Sequence, residues 1–161
     1  MLYYVDRIDE ELRKEFVPII PFNCGAFENT SKKHISLCPS IKDCLNCVSW
    51  NYENEILRVY VFNEEDILKE NLISTEDLWK TELVLDAYMT NEVWIINQKL
   101  KPVESFCIFN VKTKEKAKMP ELLDVADIEE YVKNGIVVDS DANWFDVISD
   151  VEYEIFCHET F

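Results

Sequence analysis

The chain has 161 residues, of which 32 are acidic and 16 basic, so its net charge is -16 with a sequence pI near 4.4. That surface repels phosphate backbones and anionic lipid, which excludes nucleic acid and acidic membranes as direct partners and favours basic proteins. With 48% apolar and 12% aromatic residues the chain is not a disordered polyelectrolyte, and its length suits one folded domain.

In chain order, Leu2 to Val5 reads as an opening strand and Asp9 to Phe16 as a short helix with Leu12 and Phe16 on one side. Pro18 and Pro21 then stop regular structure, and residues 21–32 read as a loop containing Gly25. A strand from Lys33 to Cys38 leads into a helix at Pro39 and Ser40, where Ser40 and Asp43 form a capping box. Ile41, Cys44, Leu45 and Val48 recur at helical spacing, and Glu55 to Phe62 is a second strand rich in β-branched and aromatic residues. Asn63 to Asp66 is expected to cap a helical turn through Ile67 and Leu68. Ser74 and Asp77 repeat the capping grammar before Leu78 and Trp79.

Leu83 to Met89 and Glu92 to Ile96 read as two strands paired across a turn at Thr90 and Asn91, and Val103 to Val111 as another. Lys112 to Lys118 is expected to be a solvated basic connection. Pro120 opens a helix to Asn134, stopped by Gly135. A short strand at Ile136 to Val138, a helical turn at Trp144 to Ile148 and a final strand at Val151 to Cys157 complete the chain. In that strand Val151, Tyr153 and Ile155 face inward while Glu152 and Glu154 face water. The expected class is α+β, a single domain with a mixed or antiparallel sheet and flanking helices. From Glu121 to Phe161 there are twelve carboxylates and one lysine, Lys133, a net of -11.

Much chemistry is excluded by residues that are missing. With only Gly25 and Gly135 there is no glycine-rich phosphate loop, dinucleotide fingerprint or nucleophile elbow. His34 and His158 are isolated from each other and from any second ligand pair, so neither a histidine metal centre nor a Ser-His-Asp triad is supported. Cys44 and Cys47 form a C-x-x-C inside a helix. They are expected to be buried core thiols, free like the other four cysteines and without a bound metal. Spacing leaves open whether Cys24 or Cys38 folds back onto that pair. No basic, apolar leader opens the chain and no apolar run spans a bilayer, so the expected location is cytoplasmic.

The phrases Ile35 to Ile41, Leu57 to Val61 and Asn91 to Ile95, with the order of elements, resemble the ADP-ribosyltransferase-like fold over residues 1–111, leaving 119–161 as an acidic helix and strand. Within that fold the chain is most similar to small acidic proteins of low-GC Gram-positive bacteria and their phages. The resemblance implies a cleft for nicotinamide adenine dinucleotide (NAD). A His or Arg on the first strand would hold the dinucleotide, a small polar residue would line the pocket, and a late Glu would polarise the ribose. In this chain those positions fall on Tyr4, on Ser36 or Ser40, and on Glu92. Tyr4 departs from the cationic pattern, and Arg7 lies nearby.

Two functions are expected from these readings. The first is a non-catalytic acidic protein that docks on a basic, nucleic-acid-binding surface of a host protein as a phage or mobile-element inhibitor. Asp124, Asp127, Glu130, Glu152 and Glu154 would stand where the partner expects phosphates, and no cofactor would be needed. The alternative is an NAD-dependent ADP-ribosyltransferase with Glu92 as its catalytic carboxylate.

Overall fold

The computed structural model describes residues 1–8, 11–21, 29, 31–48, 52, 54–84, 87–118 and 146–161. Strand β1 (Leu2–Arg7) pairs antiparallel with β3 (Leu57–Phe62), β3 with β6 (Glu104–Lys118), and β6 with β7 (Asp146–Thr160). A second antiparallel sheet has β5 (Val93–Ile95) between β2 (Ile35–Leu37) and β4 (Leu72–Ile73). Helices α1 (Ile41–Cys47), α2 (Thr75–Lys80) and α3 (Ala87–Thr90) complete an α+β fold.

Strand β3 is central because both its faces are buried. Leu57, Val59 and Val61 pack with Val5, Phe106 and Ile108 against Ile41, Cys44 and Leu45 of α1. Tyr60 and Phe62 point the other way, to Leu2, Phe16, Ile35, Leu37 and Ile95. The period of two puts alternate residues into two different cores. A third cluster seats Leu78, Leu83, Val84 and Ala87 on Trp94 of β5.

Local signals hold where the chemistry is local. Ser40 caps α1 by accepting from the Asp43 amide at 3.1 Å, and Ser74 caps α2 by accepting from the Asp77 amide at 3.1 Å. Other expectations are corrected. Residues 11–16 form no helix; Phe16 instead bridges Leu100 by backbone bonds of 2.7 and 2.9 Å, which hold the segment extended. Asn63 makes no side-chain cap, and two single 3-10 turns follow it, Glu64–Asp66 and Lys69–Asn71.

The expected strand pair from Leu83 to Ile96 is a helix followed by a strand. α3 occupies Ala87–Thr90, and β5 takes its partners from β2 and β4. A short apolar run does not distinguish a buried strand from a buried helical turn. Lys112 to Lys118 is strand rather than loop, and Asp146 to Ile148 is strand rather than helical turn. In the β6–β7 register Lys112 stands opposite Glu152, Lys114 opposite Asp150, and Lys118 opposite Asp146. A bulge between Phe109 and Lys112 carries Asn110 at φ 52°.

On β7, Val151 and Tyr153 pack on the first core as expected, but Ile155, expected to face inward, is 57% exposed. The helix expected at Pro120 to Asn134 and the strand at Ile136 to Val138 lie outside the described residues. No helix among the described residues is long and apolar enough to cross a membrane.

Candidate functional site

Glu92 is a carboxylate with little water around it, 7% exposed, at the turn between α3 and β5. The chain reaches it through Asn91, whose φ of 49° lies in the left-handed region that Asn tolerates better than most residues. Asn91 Nδ2 donates to Asp43 Oδ1 at 3.0 Å, and Asp43 is itself buried and hydrogen-bonded to the Ser40 hydroxyl. Thr75 Oγ1 donates to the Glu92 carbonyl at 2.7 Å, so α2 also fixes the turn.

The Glu92 side chain accepts from Trp94 Nε1 at 2.6 Å and from the Ser36 hydroxyl across the β2–β5 pair. Trp94 is fully buried, and the His34 ring lies flat on it, centroids 3.6 Å apart and planes 4° apart. His34 Nδ1 is 2.9 Å from the Lys32 carbonyl, which can only accept, so Nδ1 carries a proton. A buried carboxylate is tolerated when donors converge on it, as the Ser36 hydroxyl and Trp94 Nε1 do here.

Glu92, Ser36 and His34 border a cavity of about 410 Å3 between β1, β2, the end of α1 and the segment after β1. Tyr4, Ser36 and Glu92, the positions that the resemblance selected, all line it. Ser40 does not; it caps α1 and braces Asp43. Arg7 lies away from this cavity, paired with Glu55 at 3.2 Å. The cation at the cavity is Arg13, whose guanidinium sits 5.7 Å from the Tyr4 ring centre and 5.6 Å from that of Phe16, and 2.8 Å from Asp6 Oδ2.

Arg13 escapes the sequence reading because residues 9–16 read as a helix, whereas residues 11–16 are extended, and His34 because it stands isolated from any second ligand pair in the sequence. A cation a few residues beyond the first strand was the one available signal for Arg13. The segment's position also fixes Tyr60: Arg13 N–H donates to the Tyr60 hydroxyl at 3.0 Å, while burial pushes that phenol's pKa up.

At the cavity's edge Cys47 is exposed rather than buried as expected, whereas Cys44 and Cys38 are buried. Cys38 Sγ lies 3.3 Å from Cys47 Sγ, so Cys38 does fold back onto the C-x-x-C. The Cys44 thiol raises the pKa of Cys38 and the Cys38 thiol raises that of Cys47, both well above the ordinary thiol range, and burial raises that of Cys44. The described cysteines are free thiols, and among the described residues no group of three or more His, Cys, Asp or Glu is placed to hold a metal ion.

Of the acidic positions, Glu152 and Glu154 are exposed on β7, and Glu154 accepts from Asn110 Nδ2 at 2.9 Å. Asp124, Asp127 and Glu130 lie outside the described residues. No family model, curated protein or solved structure matches this chain.

Proposed function

We propose that the chain is an ADP-ribosyltransferase-like protein that takes NAD into the cavity beside Glu92. The observation that carries this reading is that Tyr4, Ser36 and Glu92, distant in sequence, line one cavity. Glu92 is held by Ser36 and Trp94 in a dry wall, where a carboxylate interacts strongly with a ribose hydroxyl or with positive charge developing on the sugar. Tyr4 and Phe16 offer aromatic surface to a nicotinamide ring, and Arg13 offers the diphosphate a cation where Tyr4 supplies none. In the reaction the bond between ribose C1′ and nicotinamide breaks. A nucleophile on the acceptor takes C1′, and its proton leaves to a base.

The test is transfer of labelled ADP-ribose from NAD to proteins of a low-GC Gram-positive lysate. Glu92→Gln keeps the shape of the site and should lower transfer by about 100-fold or more, the scale expected for loss of one transition-state electrostatic partner. Absence of transfer by the wild type, or transfer unchanged in Glu92→Gln, would sink the reading.

A second reading, an acidic docking protein for a basic host surface, is favoured by the exposed carboxylates Asp150, Glu152, Glu154 and Glu159 along β7. It ranks below the first because the β6 register sets lysines opposite two of them, Asp150 and Glu152. Recovery of no basic partner from the same lysate at low salt would remove it.

A further inference from the structure

The C-x-x-C of α1 does not act as a pair by itself. Cys44 Sγ lies 3.3 Å from the Tyr3 carbonyl and donates its proton there. That leaves Cys47, at the last position of α1, facing Cys38 just beyond β2, with sulfurs 3.3 Å apart. Cys38 is anchored by two backbone bonds to Tyr3, of 2.8 and 3.0 Å, whereas Cys47 sits where the helix ends and its carbonyls are least constrained. A disulfide needs about 2.05 Å between sulfurs, so the two must approach by about 1.3 Å, within reach of a side-chain rotation at the helix end.

We propose that Cys38 and Cys47 are a redox modification site that closes to an intramolecular disulfide in the presence of a peroxide. The thiolate of one cysteine attacks a peroxide oxygen, the O–O bond breaks and one water leaves, giving a sulfenic acid. The second thiol then displaces the hydroxyl as another water, forming the S–S bond. In total two thiol protons and two electrons pass to hydrogen peroxide, which is reduced to two waters. The link spans nine positions and ties the end of α1 to the end of β2. Ser36 lies two residues before Cys38, and Cys47 shares the cavity wall with Ser36 and Glu92, so closure fixes one wall of the cavity. The inference does not depend on what the cavity binds.

Neighbouring groups set the rate. Cys44 on α1 and Glu92 before β5 disfavour thiolate at Cys38, and Cys38 and Glu92 disfavour it at Cys47, while the Thr90 hydroxyl on α3 favours it at Cys47. Closure is therefore slow at neutral pH and speeds as pH rises.

The experiment uses the full chain, fully reduced and then treated with hydrogen peroxide at mildly alkaline pH. Non-reducing mass spectrometry should find a loss of about 2 Da, the two thiol hydrogens, with a peptide pair joining Cys38 to Cys47 that dithiothreitol separates. Cys44→Ser should give the same link, and Cys38→Ser or Cys47→Ser should abolish it. A link from Cys38 to Cys44, from Cys44 to Cys47, or to any other cysteine would overturn the proposal. So would oxidation of exposed Cys157 to higher acids with Cys38 and Cys47 still reduced. The wild-type peptide map alone decides between these outcomes, so a variant that misfolds does not blunt the test.

Discussion

Glu92 illustrates how few residues hold the site. Its carboxylate accepts from Trp94 Nε1 and from the Ser36 hydroxyl, and removing either donor takes a hydrogen bond from a buried carboxylate. Trp94→Phe keeps an aromatic ring against His34 but deletes the Nε1 donor. It should destabilise the fold by about 1–3 kcal/mol, the usual cost of taking a hydrogen-bond partner from a buried polar group. Urea unfolding followed by circular dichroism measures this, and a loss under about 0.5 kcal/mol would mean that Ser36 and solvent suffice.

The thiols add a pH dependence. Cys38, Cys44 and Cys47 have folded pKa values above their unfolded ones, so the folded chain keeps protons that the unfolded chain releases. Their contribution is fully present below the unfolded thiol pKa of about 8.5 and is lost as pH rises beyond it. Stability should therefore fall from about pH 8.5 upward, and Cys38→Ser with Cys47→Ser should flatten that fall. An equal decline in the double variant would assign it to other groups.

At the scale of elements, α1 both closes the first core and aims the turn that carries Glu92. Ser40 caps the helix and bonds Asp43, Asp43 receives Asn91, and Asn91 sets the turn that presents Glu92. Ser40→Ala should cost about 1 kcal/mol as a lost cap. Because Asp43 is shared, Ser40→Ala and Asn91→Ala should be non-additive by about 0.5–3 kcal/mol in a double-mutant cycle. Strict additivity would break the proposed chain of support.

Both caps were legible because a Ser and an Asp three residues apart are a contiguous signal. The Leu83 to Met89 segment was not, since its apolar run fits strand or helix until Ala87 and Val84 meet Trp94. Lys112 to Lys118 read as a solvated connection because the acids opposite, on β7, lie 28 to 40 positions away. At the site, Ser36 and Glu92 were reachable only through the resemblance. Nothing in the spacing of residues 36 and 92 foretells that β2 and β5 pair with Ser36 opposite Trp94.

For the whole molecule, the question is whether a net charge of -16 amounts to a docking surface. Total charge is a weak argument, since exposed carboxylates also serve solubility. Arrangement matters more. The β6–β7 ribbon sets Lys112 against Glu152 and Lys114 against Asp150, and opposite charges at facing positions stabilise a strand pair by about 0.2–1 kcal/mol. A lysine at the facing position leaves a partner less of those carboxylates' field. Replacing Asp124, Asp127, Glu130, Glu152 and Glu154 by Asn or Gln separates the two roles. If the acids only balance the ribbon's lysines and keep the chain soluble, the fold loses about 1 kcal/mol or less at Glu152 and ADP-ribose transfer is unchanged. If they form a docking surface, capture of basic proteins from lysate disappears in the variant, and wild-type capture fades as salt shortens the screening length toward about 8 Å. The ribbon register predicts the first outcome. Salt-sensitive capture by the wild type that the variant lacks would reverse the ranking of the two functions.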